Sequence, residues 1–496
     1  MEQKKFQNYT GELLDFIQKS PSPFHVIANL QEKLQNNGFM ELKETDHWQL
    51  EQGRKYFVTR NDSSMIAFQI PNFKQLPGLK QLSKLEQSLD LKQSSDLPFG
   101  KCKGFHIVAA HSDSPSFKIK ENPETVTDGR YLKLNTEKYG GMILSTWLDR
   151  PLSVAGRVVV TENYVAGEML QGAEQDRQKH LVTKLVNLDH DAMVIPNLAI
   201  HMNRDMNKGV EYNPQIDMLP FYGDLRQRAE SDEAGETDTE NITTDYELTD
   251  MFMSDIAASA GVQPQQILGH DLFLYVRDQG RIFGRNGEFI LSPKLDDLQC
   301  VYAAMEAFVT VMPREYISLC GVFDNEEVGS RTRQGADSTF LADTVERICE
   351  ALYDICGESS AKTLEKRWIA DSFLISADNA HAVHPNHPEK ADPTNRPYLN
   401  GGIVIKYHGG QKYTTDAVSA ARMKDLCNRA GVPYQTYANR SDIAGGSTLG
   451  NLSAGHLPVS SVDIGLPQLA MHSAVETGGA LDTAYAVNVF EEFFRE

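Results

Sequence analysis

YISLCGVFDNEEVGS, Tyr316–Ser330, is the stretch on which the reading of this chain turns. Its first eight residues are almost all apolar and read as a buried strand. The chain then passes abruptly into Asp324, Asn325, Glu326 and Glu327. Carboxylates crowded at a strand end repel one another, so something positive has to offset them in the folded state, and a divalent cation is the simplest candidate. Adjacent residues of extended backbone point to opposite sides, which lets Glu326 and Glu327 take different tasks, one binding a metal and the other facing a substrate. A lone pair of glutamates is ordinarily a solvated acidic turn, but the rest of the chain argues against that here.

Working outward, other apolar runs end in the same way. Phe105–Ala110 runs into His111, Ser112 and Asp113; Glu288–Pro293 leads to Asp296; Phe373–Ala377 ends at Asp378; Pro458–Gly465 leads through Leu466–Met471 to His472. From Glu288 onward short apolar strands alternate with helix-length segments, the pattern of a mostly parallel sheet flanked by helices. Ligands of such sheets bind outside the carboxyl ends of the strands, so residues far apart in sequence are expected on one rim.

Of these, His111, Asp296, Glu326, Glu327, Asp378 and His472 make a set of two histidines, two aspartates and two glutamates. Imidazole and carboxylate together suit zinc, cobalt or manganese, and one aspartate can bridge two ions through its two oxygens. Five residues then make the ligands, and the remaining glutamate is available as the general base of a hydrolase. Asp113 stands two residues beyond His111, placed to hold the imidazole tautomer. No HExxH, GxSxG or GxxxxGK[ST] motif offers a rival chemistry. The glycine-rich Gly445–Gly450 lacks the ending of a nucleotide loop and reads as a backbone wall near substrate, or as a turn.

At 496 residues the chain exceeds a single ordinary core. Two helical patterns in Thr10–Gly38 flank the rigid Pro21–His25 turn, and Tyr56–Pro71 carries two short strands across Asn61–Ser63. Between Phe117 and about Phe283 period-two segments with Gly and Asp turns take over, so the sequence divides into an α/β domain (1–117 and 284–496) interrupted by a β-rich insert (118–283). Asn72–Pro98 reads as a peripheral amphipathic segment and Gly223–Asp250 as an acidic flexible loop.

Hydrophobic content of 41% and charged content of 23% are those of a soluble globular protein, and a formal charge of −20 argues against nucleic-acid or anionic-membrane partners. With no apolar leader at the N-terminus and no long apolar run, the expected location is the cytoplasm. Six scattered cysteines without CxxC spacing read as reduced thiols.

Five of these segments, Ala109–Pro115 (AAHSDSP), Ser292–Leu298 (SPKLDDL), Asp324–Ser330 (DNEEVGS), Ser376–Asn386 (SADNAHAVHPN) and Leu466–Ser473 (LPQLAMHS), resemble in order the motifs of the aspartyl aminopeptidase family. That resemblance runs from Ser20–Leu30 to the last helix and implies a zinc-peptidase α/β fold with an inserted dimerisation domain. It implies two zinc ions bridged by Asp296, one completed by His111 and Asp378 and the other by Glu327 and His472, with Glu326 as general base. It also implies that His201, within Ile195–His201 (IPNLAIH), enters a partner's active site, and that Lys406, within Gly402–Tyr413, meets the side chain of an N-terminal Asp or Glu. By pattern alone His201 would be a strand-end residue without a role, and Lys406 a snorkelling surface lysine. Short peptides with acidic N-termini and self-association as a dimer and dodecamer follow from the same likeness. Two other readings stand beside it: a co-catalytic metallohydrolase acting on neutral N-termini or acylated amino acids, and a silent scaffold, which the presence of all six metal and base positions opposes.

Overall fold

A computed structural model describes residues 2–72, 102–161, 181–225, 250–446 and 448–496, without the side chains of 2–7 and 452. Most of Asn72–Pro98 and of the acidic tract lies outside the described residues. Gly223 and Asp224, expected in that tract, instead close the strand Phe221–Asp224.

A nine-stranded sheet runs in the order Met40–Leu42, Lys55–Arg60, Ser64–Gln69, Tyr316–Phe323, Gly104–His111, Phe373–Ala377, Ser460–Gly465, Ile403–Tyr407, Tyr434–Ala438. Its four central strands, Tyr316–Phe323 to Ser460–Gly465, are mutually parallel, and antiparallel pairs flank them on both sides. The near-continuous apolar character of these strands follows from burial on both faces. Val108 and Ala110 pack into one core with the helices Pro23–Asn36, Leu295–Thr310, Ala417–Ala430 and Asp482–Arg495. Phe105, Ile107 and Ala109 pack into the other with Phe340–Leu352 and Ala361–Asp371. The period of two thus assigns alternate side chains of a single strand to opposite cores.

The expected pair of N-terminal helices forms as Glu2–Lys19 and Pro23–Asn36, with Pro23 at the first turn of the second. A six-stranded, wholly antiparallel sheet carries Leu181–Asn187, Leu152–Thr161, Ile267–Val276, Ser116–Thr127, Tyr131–Tyr139 and Phe221–Asp224. It has its own core around Phe117, Trp147, Val154 and Leu272, closed by the helix Met251–Ala260. A third, five-stranded sheet includes Phe289–Ser292, Pro467–Leu469 and Glu476–Gly479. All six cysteines are free thiols, and among the described residues no helix is long and apolar enough to cross a membrane.

Candidate metal centre

The central parallel strands deliver three of the expected groups to one rim. His111 is the last residue of Gly104–His111 and pairs in register with Phe323, so the turn carrying Glu326 and Glu327 begins beside it. Asp378 directly follows Phe373–Ala377 on the other flank. Asp296 arrives differently from the sequence expectation, and between Ser460–Gly465, which is a strand of the parallel sheet as expected, and His472 lies a further short strand. Phe289–Ser292 and Pro467–Leu469 belong to the five-stranded sheet, not to the parallel one. Asp296 lies at the start of the helix Leu295–Thr310, and His472 in a loop where its own φ is +66°.

These residues close into one cluster. His111, Asp296 and Asp378 bring ligand atoms within 4.8 Å of one another, as do Asp296, Glu327 and His472, and as do His111, Glu326 and Glu327. His111 Nε2 is 3.5 Å from Asp296 Oδ1, while His472 Nε2 is 3.4 Å from both Asp296 Oδ2 and Glu327 Oε1. Asp296 therefore faces one imidazole with each oxygen. A backbone carbonyl can only accept, so the contacts of His111 Nδ1 with Asp113 O (3.0 Å) and of His472 Nδ1 with Gly141 O (2.7 Å) put the proton on Nδ1. Both Nε2 atoms are left facing the cluster.

The turn does not continue as extended backbone, which corrects the alternation argument for Glu326 and Glu327. Asn325 adopts φ +62° and a short 3₁₀ turn spans Glu326–Val328. Asp113 fixes this turn, because its Oδ1 and Oδ2 accept the Glu326 and Glu327 N–H groups, each at 3.1 Å. Its carboxylate thus anchors the glutamates as well as lying 3.4 Å from His111 Nδ1.

The electrostatics show what such crowding costs. Burial, with Asp378, Asp113 and Asp296 nearby, pushes the Glu326 carboxyl up to about 8 despite the opposing His111. Burial and Asp296 push Glu327 up as well. Burial would lower His472, but Asp296 and Glu327 outweigh it and hold that imidazole at about 10. Burial would likewise raise Asp296, yet its two histidines keep it below the ordinary carboxylate range. Asp296 Oδ1 and Glu327 Oε1 are buried without a hydrogen-bond donor. Buried carboxylate oxygens facing two imidazole nitrogens form a donor set suited to zinc, which would take the place of the Nε2 protons that the carboxylates otherwise favour.

The family description "Aminopeptidase I zinc metalloprotease (M18)" matches residues 16–97 and 96–494. The chain belongs to the M18 family. As a member it is a zinc metallo-aminopeptidase, a hydrolase. It is 44% identical over 486 residues, 98% of each chain, to the Clostridium acetobutylicum protein named "Probable M18 family aminopeptidase 2". Among solved structures, the Ape4 chain of an Ape4 and Nbr1 complex matches at 33% identity and a TM-score of 0.83, over 99% of this chain and 86% of that one. The S. cerevisiae mApe1 dodecamer matches at 24% identity and a TM-score of 0.72, over 99% and 97%.

In this M18 chain Lys406 lines the cleft beside the cluster. The cleft, of about 260 Å³, also exposes His381, Tyr413, Tyr437, Gly446 and Thr448. Lys406 is 3% exposed; its Nζ donates to Asn379 O at 3.0 Å and stands 3.5 Å from Asp378 Oδ1. It is therefore a buried cation rather than a snorkelling one. His201 is not brought to the cluster within this chain, but sits exposed in a turn closed by Met202 N–H to Ala199 O.

Three site residues escaped the sequence reading. Glu476 is buried and ties two ligands together, with Oε2 accepting Asp296 N–H (3.0 Å) and Oε1 accepting His472 N–H (2.7 Å). Asp297 accepts His111 N–H at 3.3 Å, and Tyr139 donates to Asp113 Oδ2 at 2.8 Å. Asp297 stood in plain view beside Asp296. Glu476 had only the weak signal of a carboxylate within Ala474–Gly479, next to the last motif.

Proposed function

We propose that this aminopeptidase releases unblocked N-terminal Asp or Glu from short peptides, and that the buried Lys406 carries that preference. An ammonium has three N–H donors. Asn379 O engages one and Asp378 lies along another, which leaves one for the carboxylate of a substrate side chain in the cleft. In this reading His111, Asp296 and Asp378 hold one zinc ion, and Asp296, Glu327 and His472 hold the second. Zinc bound there would acidify a water and polarise the scissile carbonyl. Glu326 takes the proton of the attacking water and returns it to the leaving amine. Asp113 holds the Glu326 turn and the His111 ring in the orientation this transfer needs.

Residues 118–283 form, on the same reading, a dimerisation domain inserted between the two parts of the catalytic domain, 1–117 and 284–496. Leu198, Ile200 and Met202, which flank His201 in sequence, are 45–76% exposed, apolar side chains that a second copy would bury. His201 would then reach the partner's cleft and stabilise the developing oxyanion. A closed dodecamer like that of the yeast relative would restrict access to short peptides. Free thiols throughout suit a reducing cytoplasm.

The test is the rate of release of N-terminal Asp, Glu, Leu and Ala from otherwise identical short peptides, before and after chelation and zinc repletion. Zinc-restored release confined to Asp and Glu is expected. Preference for Leu or Ala would remove the acidic specificity and leave the metal site.

A further inference from the structure

The strand Tyr131–Tyr139 of the six-stranded sheet ends against the catalytic turn. Tyr139, 9% exposed, donates its hydroxyl proton to Asp113 Oδ2 at 2.8 Å and accepts from Asn325 Nδ2 at 2.8 Å. Asn325 is the left-handed residue that starts the turn, and its Oδ1 is held by Thr332 Oγ1 and Gln334 Nε2, both at 2.7 Å. Asp113 holds the N–H groups of Glu326 and Glu327. A single hydroxyl thus joins the residue that shapes the turn to the carboxylate that pins its next two residues. The two residues after Tyr139 reach the same side of the cluster. Gly140 packs so closely that a Cβ there would sit 3.1 Å from Glu327 Cβ, and the Gly141 carbonyl fixes the His472 tautomer.

We infer that Tyr139 is a positioning residue for Glu326 and Glu327, contributed by a strand end of the six-stranded sheet. The inference rests on the roles proposed above for those glutamates. Its physical basis is the cost of a buried, incompletely satisfied network. Without the hydroxyl, Asp113 Oδ2 keeps one donor fewer and the Asn325 amide loses its acceptor, so the turn is no longer held from both ends.

The test is Tyr139→Phe, which keeps the ring and removes only the oxygen, assayed in the full chain loaded with zinc. Three quantities are measured: kcat and KM on the fastest-cleaved peptide, and zinc per chain after dialysis into zinc-free buffer. Loss of an outer-shell partner predicts a fall in kcat of about ten- to a hundredfold with KM moved less than about twofold, and zinc retention falling toward one ion as Glu327 loosens. Phe273→Leu is the companion variant, because Phe273 packs edge-on against the Tyr139 ring, 5.3 Å between centroids, and makes no contact through the hydroxyl. It should lower Tm while leaving kcat within about twofold. Wild-type kcat and zinc in Tyr139→Phe would overturn the inference, as would an equal fall in kcat in Phe273→Leu. Zinc retention is independent of peptide preference, so a wild-type chain that prefers Leu would remove the acidic specificity without touching this result.

Discussion

The two halves of the metal cluster are built by opposite strategies. His111 and Asp378 sit at the ends of neighbouring parallel strands, and His111 is only 1% exposed with its ring held by a carbonyl two residues away. His472 is 31% exposed, stands on a left-handed loop residue, and borrows its anchors: Gly141 O and Ile143 N–H from the segment that follows Tyr131–Tyr139, and the Glu476 carboxylate from the five-stranded sheet. A strand end is fixed by its ladder and by the core on either face, so it needs little help. A loop ligand is only as well placed as the contacts that reach it from elsewhere. The contrast predicts that the His111 half tolerates changes in the surrounding sheets, whereas the His472 half depends on residues with no metal contact of their own.

Glu326 belongs to neither half, and Glu326→Gln should give the largest effect. It keeps the volume and removes the base, so kcat should fall by about 10²–10⁴-fold while zinc per chain is unchanged. Near-normal turnover would break the assignment of the base. Glu476→Gln comes next. Losing the carboxylate that ties Asp296 N–H to His472 N–H should cost about ten- to a hundredfold in affinity for one zinc ion and spare the other. Equal weakening of both ions would erase the distinction drawn here.

Lys406→Met sharpens the comparison from the His111 side. Because Lys406 stands 3.5 Å from the ligand Asp378, its loss should lower kcat on every peptide, and more on Asp and Glu than on Leu. A clean exchange of preference with full activity on Leu would mean that the ion pair with Asp378 is dispensable. The smallest effect concerns stability. His106, stacked between Tyr316 and Phe493, is pulled down to about 3 by burial and by Arg422. His25 is lowered to about 4 by burial and Lys294. Both stay neutral in the fold while the unfolded chain takes up protons near 6.5. Their contribution is complete above that pH and is lost as pH falls, by up to about 1.4 kcal/mol per unit for His106. Urea titrations of the zinc-loaded protein at pH 7 and 5 would measure it, and His106→Phe should flatten the difference.

How much was legible follows the same division. His111, Asp378 and the Glu326–Glu327 turn could be read because an apolar run that stops at a polar residue marks where a strand surfaces. Phe105–Ala110 could be read as a buried strand, but its division between two cores could not, because Phe105, Ile107 and Ala109 on one side and Val108 and Ala110 on the other are all apolar. Asp296 and His472 do join the cluster, but the strand before Asp296 was assigned to the wrong sheet, and the short strand between Ser460–Gly465 and His472 was not seen. Short strands such as Pro467–Leu469 have too few residues to declare their partners. The local shape of the turn was missed because Asn325 takes a left-handed conformation inside what reads as a continuing strand. Glu476 and Tyr139 were illegible for a different reason. Each acts through contacts with residues distant in sequence, and a lone Glu or Tyr next to glycines carries no periodic signal.

The measurement that tests the account most directly is zinc bound per chain as the chelated protein is titrated, for the wild type and for His472→Ala. The account predicts saturation at two ions in the wild type, with unequal affinities, and at one tightly held ion in His472→Ala. A wild-type chain that saturates at one, or a His472→Ala chain that still binds two, would contradict a shared Asp296 between two separately built subsites.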